Sequence, residues 1–262
     1  MQLSDLSPTT VLSAARGAPN GLPAHTLSAI AAVGVALTGG ALVLARMTPA
    51  PSATIGVALA LYGAAALICL LRIGPFHPHA RFGLPNVLTL CRLALGTLAA
   101  GVLAAPALAS TAWAAPVGWA MLAGAALALV LDGLDGWVAR RQALASRFGA
   151  RFDMEVDALV TAVLAGFAVA HGKLGAWVLL LAAPRYVFLA AQALVPALRR
   201  PLPPARRRKA VCVFQVGVLA ALAAPPVTGR VAALLAVTAL MALVWSFAVD
   251  VRWCLRAPKT ES

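Results

Sequence analysis

The chain has 262 residues, of which 62% are hydrophobic and 11% are charged. Several apolar runs approach the ~20 residues that a helix needs to cross a bilayer, which excludes an ordinary water-soluble globular domain. The net charge of +13 does not indicate nucleic-acid binding, because no stacking platform or known binding module accompanies it. The apolar runs are continuous, whereas barrel strands alternate over ~10 residues, so we predict a helical membrane protein.

Eight membrane-spanning helices are predicted along the chain. They cover residues 27–46, 53–72, 86–105, 112–138, 153–171, 174–197, 210–225 and 230–250. We divide the chain into a flexible N-terminus (1–26), two leading helices with a juxtamembrane linker (27–80), a six-helix domain (81–254) and a polar tail (255–262).

Basic residues are distributed unevenly over this arrangement. If the N-terminus is cytoplasmic, seventeen of the twenty-one lysines and arginines fall at cytoplasmic helix ends or loops. The opposite side has Arg46, Lys173 and Arg230, and Arg185 lies inside a predicted span. The positive-inside rule therefore predicts that both termini are cytoplasmic.

The third predicted helix starts with the polar stretch PNVLTLCR, in which Asn86, Thr89 and Arg92 form one stripe. Two interpretations stay open. The stripe contacts a ligand, or Asn86 caps the helix and Arg92 snorkels to the membrane interface. Just before it, His77 and His79 flank a proline without a third ligand nearby, so we predict a juxtamembrane segment there rather than a metal site.

Five of the eight acidic residues lie between Leu131 and Val160, at the junction of the fourth and fifth predicted helices. The spacing places Asp132 and Asp135 on one helical face and Asp153 and Asp157 on another. Four carboxylates that meet would repel each other or take up protons unless a cation neutralises them. Oxygen ligands favour magnesium, manganese or calcium over zinc, so we predict a divalent metal site.

The alternative is that these acids only neutralise the arginines of the same loop, which contributes little stability when the pairs are exposed. That alternative leaves the small residues unexplained. Gly136 and Ala139 share the Asp132 face, and Gly149 lies one turn before Asp153, so all three leave room for a bulky ligand. Glu155 points away from the aspartate stripe and is not predicted to be a ligand.

The whole stretch resembles the CDP-alcohol phosphatidyltransferases, whose pattern is D-x2-D-G-x2-A-R-x8-G-x3-D-x3-D. Eight positions match it without departure: Asp132, Asp135, Gly136, Ala139, Arg140, Gly149, Asp153 and Asp157. The similar region extends from about Pro85 to Arg252, and its six predicted helices resemble the six-helix core of that family. The expected fold is thus an all-α integral membrane protein with two extra helices ahead of this core.

The resemblance implies that a phosphatidyl group passes from CDP-diacylglycerol to an alcohol with release of CMP. It implies two Mg²⁺ or Mn²⁺ ions held by the four aspartates, with Asp157 as the base that takes the hydroxyl proton. The residues implied to bind substrate around the cytidine diphosphate are Asn86, Thr89, Gly136, Ala139, Arg140 and Gly149. A homodimer in the bacterial inner membrane, with a cytoplasmic active site, is also expected.

The acceptor alcohol is less well indicated. Arg185 is our candidate for acceptor recognition, with Lys209 and Arg151 behind it; an internal ion pair or a snorkelling side chain is the alternative for Arg185. Met154 and Ala158 match neither the serine-type nor the glycerol-phosphate-type relatives. The basic residues favour glycerol 3-phosphate, while serine, inositol phosphate or another polyol phosphate stays open.

Two other classes of protein are alternatives to this family. Membrane prenyltransferases also hold a pyrophosphate with aspartates and magnesium, but they use two separated acidic clusters. A transporter or an inactive scaffold on the same fold is the non-enzymatic rival, and the presence of every motif residue argues against an inactive one.

Overall fold

The computed structural model describes residues 22–77, 79, 81–105, 114–142, 146–200, 202, 203 and 205–256. These residues form helices and connecting segments, with no β-strand among them. The predicted N-terminal tail up to residue 21 and the last six residues of the predicted C-terminal tail lie outside this part of the chain.

The described residues form eight α-helices. Their bounds are α1 Leu22–Ala45, α2 Pro51–Phe76, α3 Leu84–Leu103, α4 Ala114–Gln142, α5 Arg147–Ala170, α6 Pro184–Leu194, α7 Arg206–Ala223 and α8 Gly229–Arg256. Two short 3₁₀ segments, Ala176–Leu181 and Pro196–Arg199, flank α6. Helix α8 therefore continues two residues beyond the predicted end of the six-helix domain at residue 254.

Five of these helices are long and apolar enough to cross a membrane: α1, α2, α3, α4 and α8. This confirms the prediction of an all-α membrane protein. Helix α5 is charged because Asp153, Glu155 and Asp157 lie in its first half, and α7 begins with four consecutive basic residues, Arg206 to Lys209. Both helices exist where a span was predicted, but their charged first halves separate them from the five helices that contain a long apolar stretch.

The predicted span 174–197 is wrong as a continuous helix. The chain there forms a 3₁₀ turn, then the eleven-residue α6, then a second 3₁₀ turn. Pro184 and Pro196 each stand at the start of a new segment, where the missing N–H and the ring of proline end the preceding helix. Arg185 consequently lies in the first turn of α6 rather than in the middle of a span.

Contacts divide the chain into two compact units. The first lies within Met1–Leu108 and Leu127–Val160, and the second within Ala109–Ala126 and Thr161–Ser262. In the first unit, α1, α2 and α3 pack against one another. A Cβ atom on Gly101 of α3 would lie only 2.3 Å from the carbonyl oxygen of Thr54 in α2, so glycine is required for this close approach. The two leading helices thus belong to the same packed unit as α3.

In the second unit, α7 packs against α8. Arg207 at the start of α7 pairs with Asp250 near the end of α8 and also donates to the hydroxyl of Ser246, at 2.6 Å. The ammonium group of Lys173 donates to three backbone carbonyl oxygens that follow the end of α7, at 2.9–3.0 Å. Polar groups inside this unit are therefore held by hydrogen bonds at both ends of α7.

Candidate active site

Four aspartates were predicted to lie together, and the structure groups the carboxylates of three of them within the first unit. Asp132 and Asp135 lie on α4, and Asp153 and Asp157 lie on α5, which begins at Arg147, six residues before the predicted start. One carboxylate oxygen from each of Asp132, Asp135 and Asp153 lies within 4.8 Å of the other two. The i, i+3 spacing places Asp132 and Asp135 on one face of α4, and the fold places Asp153 of α5 beside them.

Arg92 of α3 lies at the centre of this cluster. Its guanidinium group is 3.1 Å from a carboxylate oxygen of Asp132 and 3.1 Å from one of Asp135, and it also pairs with Asp153 and Asp157. The side chain of Arg92 is only 4% exposed. Arg92 is thus buried among the acids, and the alternative that it snorkels to the membrane interface is wrong.

One guanidinium group does not neutralise four carboxylates. The five side chains carry a formal charge of −3 when all are ionised. In addition, the Nε atom of Arg92 is buried and has no hydrogen-bond partner among the described residues. Excess negative charge beside a bilayer is costly unless a cation compensates it.

The donor set fits a hard divalent cation. Magnesium binds oxygen at about 2.1 Å, so two ligands on opposite sides of the ion lie ~4.2 Å apart. Three oxygens within 4.8 Å of one another are therefore close enough to share one such ion. Because Arg92 contacts the same carboxylates, a bound ion and the guanidinium group compete for these oxygens.

Asn86 and Thr89 join α3 to the cluster. Helix α3 begins at Leu84 after Gly83, which is its N-cap with φ 81°, so Asn86 is not the N-cap. The side-chain amide of Asn86 donates to the carbonyl oxygen of Phe82 at 2.5 Å. The hydroxyl of Thr89 lies 3.5 Å from a carboxylate oxygen of Asp135. Thr89 and Arg92 of the polar stripe therefore face the aspartates, while Asn86 lies against Gly149 at the start of α5.

Gly149 has a different neighbour from the one expected. A Cβ atom at this position would lie 2.9 Å from Oδ1 of Asn86 and 3.2 Å from Oγ of Ser146. The side chain of Asn86, itself predicted to bind substrate, thus lies next to Gly149, and a role of Gly149 in ligand binding stays a prediction. Glycine is needed here since the start of α5 lies against the start of α3.

The other residues that were considered for the site lie on α4, α5, α6 and α7. Gly136 and Ala139 are partly exposed on α4. Arg140 belongs to α4 and Arg185 to α6, but their side chains are not among those that the structure describes. Arg151 and Lys209 are exposed. Glu155 is also exposed, and the three clustered donors do not include it.

His77 was not predicted to contribute to the site. The structure buries this side chain, 2% exposed, against the start of α5. Nδ1 of His77 is 3.0 Å from Oγ of Ser146, and Nε2 is 2.9 Å from the carbonyl oxygen of Arg81. The segment predicted to be a simple juxtamembrane linker therefore contacts the helix that carries two of the four aspartates. A polar side chain between two prolines was the only signal in the sequence.

Comparison with known proteins agrees with this site. The family model described as CDP-alcohol phosphatidyltransferase matches residues 82–249, which is 168 of the 262 residues. Comparisons with curated proteins and with solved structures found no match. Members of the matched family are metal-dependent membrane enzymes of phospholipid biosynthesis that transfer a phosphatidyl group from a CDP-alcohol to an acceptor. The matched region contains all four aspartates and Arg92, and the chain belongs to the CDP-alcohol phosphatidyltransferase family.

Proposed function

We propose that this enzyme transfers the phosphatidyl group of CDP-diacylglycerol to glycerol 3-phosphate and releases CMP. The observation that carries the proposal is the cluster of Asp132, Asp135 and Asp153 oxygens within 4.8 Å, in a chain that contains the complete family pattern. The acyl chains of the donor would stay among lipid while its charged head reaches the aspartates.

In this proposal the four aspartates hold two Mg²⁺ or Mn²⁺ ions. When bound, these ions neutralise the pyrophosphate oxygens and stabilise the negative charge that develops on the departing CMP. The carboxylates of α4 and α5 fix where that charge is compensated. Arg92 supplies a positive group to the same carboxylates and so limits their mutual repulsion.

Asp157 is proposed as the general base. The acceptor oxygen forms a bond to the phosphorus that carries diacylglycerol, the bond from that phosphorus to the CMP oxygen breaks, and the hydroxyl proton moves to the Asp157 carboxylate. Its side chain is 47% exposed, compared with 9% for Asp135, so Asp157 is the more accessible to an incoming alcohol. A carboxylate within hydrogen-bond reach of the hydroxyl is a suitable base.

Nucleotide recognition is assigned to α3 and α4. Asn86 and Thr89 would orient the cytidine diphosphate, and the position of Thr89 near Asp135 supports this because it places the stripe beside the cluster. Gly136 and Ala139 would let the nucleotide approach the backbone of α4, with Arg140 pairing with its phosphate. Gly149 acts indirectly by making space for Asn86.

Arg185, with Lys209 and Arg151, is proposed to recognise the phosphate of the acceptor. The support is chemical: an arginine in a largely apolar stretch suits a phosphate-bearing alcohol better than a neutral one. Serine, inositol phosphate and other polyol phosphates are the alternative outcomes. The excess of basic residues on one side supports cytoplasmic termini and a cytoplasmic active site in the inner membrane, and a homodimer is proposed from family resemblance alone.

The test is CMP release by the purified protein with CDP-diacylglycerol, magnesium and a panel of alcohols, with the lipid product identified in each case. Product with glycerol 3-phosphate supports the proposal, whereas product with another alcohol corrects the acceptor. Turnover of a prenyl diphosphate instead would favour the prenyltransferase. Metal binding without turnover of any substrate would favour an inactive scaffold.

The base is tested separately with Asp157→Asn, which keeps the shape of the side chain. We expect kcat to fall at least ~100-fold, the usual effect of losing general-base catalysis. Glu155→Gln is the matched control, because it removes one negative charge from an exposed position two residues away. Full CMP release by Asp157→Asn would reject the assignment.

A further inference from the structure

The loop between α2 and α3 contributes a side chain to the site region from outside the matched family domain. His77 follows the end of α2 at Phe76, whereas the family match begins at residue 82. Despite its place in a loop, His77 is almost completely buried. A buried imidazole with two hydrogen-bond contacts needs a structural or functional reason.

The contacts determine which nitrogen of His77 carries the hydrogen. The carbonyl oxygen of Arg81, 2.9 Å from Nε2, can only accept a hydrogen bond, so Nε2–H is the donor. In the neutral ring Nδ1 is then an acceptor, and the hydroxyl of Ser146, 3.0 Å away, donates to it. Burial lowers the pKa of His77, and the neighbouring His79 ring, 5.2 Å away, lowers it further, which agrees with a neutral ring.

Ser146 passes this orientation on to α5. Its hydroxyl oxygen accepts a hydrogen bond from the backbone N–H of Gly149 at 3.0 Å, and its carbonyl oxygen accepts one from Ala150 at 3.1 Å. These are the bonds of an N-cap residue, which satisfies backbone donors that the first helical turn leaves free. Because the Ser146 hydrogen points to His77, its lone pairs are directed to Gly149.

A second contact fixes the same helix end. The ring of Phe148, in the first turn of α5, packs edge-on against the His77 ring with centroids 6.1 Å apart. Asp153 and Asp157 follow Ser146 by seven and eleven residues, which is about two and three helical turns. Because this helix is continuous from Arg147 to Ala170, a rotation or shift of its start would displace both carboxylates.

From this geometry we propose that His77 is a positioning residue, which sets the N-cap of α5 through Ser146 and thereby places Asp153 and Asp157. This gives the leading helices a role in the reaction, since α2 ends directly at His77. The inference rests on the proposed function of the two aspartates, but it concerns the hydrogen-bond chain from Arg81 through His77 and Ser146 to Gly149.

Two substitutions separate this role from simple anchoring of the loop. His77→Asn retains an acceptor close to the position of Nδ1 and loses the bond to Arg81. His77→Gln retains a donor close to the position of Nε2 and loses the bond to Ser146. The proposal expects His77→Asn to resemble the wild type and His77→Gln to be impaired, whereas anchoring of the loop alone gives the reverse order.

The first readout is hydrogen exchange of the Gly149 and Ala150 amides in the full-length protein, which needs no substrate. We expect exchange to be about five- to tenfold faster in His77→Gln, the size of a lost N-cap. Ser146→Ala removes the N-cap bond itself and should increase exchange at least as much. The double variant should exchange no faster than Ser146→Ala, because His77 acts on these amides through Ser146. Wild-type exchange rates in both His77→Gln and Ser146→Ala would overturn the proposal.

The second readout is the kinetics of CMP release and the Mn²⁺ affinity measured by calorimetry. We expect His77→Gln to lower kcat about tenfold and to weaken Mn²⁺ binding severalfold, with KM for CDP-diacylglycerol nearly unchanged, since misplaced catalytic groups reduce the rate. Unchanged kcat and Mn²⁺ affinity despite faster exchange would also overturn it. If the wild type releases no CMP with any acceptor, the proposed function fails, while the exchange and Mn²⁺ measurements still decide the role of His77.

Discussion

Arg92→Met removes the guanidinium group from the aspartate cluster. Arg92 pairs with all four aspartates, and its side chain is 4% exposed. Breaking a buried ion pair from one side costs about 3–5 kcal/mol. Since Asp153 and Asp157 remain 34% and 47% exposed, water compensates part of the loss, and we expect a value near the lower limit, about 3 kcal/mol.

The predicted effect on thermal unfolding follows from this value. A change of 1 kcal/mol shifts Tm by about 2–4 °C in a protein of this size. Without divalent ions, Arg92→Met should therefore unfold about 6–12 °C below the wild type. Intrinsic tryptophan fluorescence in detergent micelles, in the presence of a chelator, provides the measurement, because the chain has six tryptophans.

Divalent ions should reverse the loss. Because the guanidinium group no longer competes for the carboxylates, we expect Arg92→Met to bind Mg²⁺ or Mn²⁺ more tightly than the wild type. An ion at a hundred times its Kd stabilises the folded state by about 2.7 kcal/mol, which restores most of the Tm. Arg72→Met is the control, since Arg72 is an exposed arginine of α2. An unchanged Tm in the chelator, or weaker metal binding by Arg92→Met, would refute the competition between arginine and metal.

Three further predictions concern the rest of the structure and use the same unfolding assay. Gly101→Ala should destabilise the folded protein by about 2 kcal/mol, because the new Cβ atom would meet the carbonyl oxygen of Thr54. Gly63→Ala is the control, since a Cβ atom there lies in open space. Equal Tm values for the two variants would contradict this packing. Lys173→Met should cost about 2 kcal/mol through three lost hydrogen bonds, and a neutral result would show that they contribute nothing. Because the pKa of His77 is lowered in the folded protein, the unfolded chain binds the proton more readily, and the free energy of unfolding should fall as the pH drops below about 6.5. His77→Asn should lose this part of the pH dependence. An identical pH profile in the variant and the wild type would contradict the prediction.

Much of the candidate site could be predicted because its pattern is local. Spacing alone places Asp132 and Asp135 on one helical face, and Asp153 and Asp157 on another. The structure brings three of these four carboxylates into one group. The break at Pro184 was also present in the sequence. We nevertheless predicted one continuous helix over 174–197, because hydropathy alone does not register the backbone geometry that proline imposes.

The membrane-helical class, the family and the acidic faces of α4 and α5 could therefore be read from the sequence alone. The packing of the helices was needed to show that Arg92 lies among acids 40 to 65 positions further along the chain. It alone placed Asn86 over Gly149, and His77 against Ser146, 69 residues away. The physical reason is that helical periodicity acts within a few residues, whereas these contacts depend on how closely separate helices pack and on which polar groups must be satisfied once they are buried.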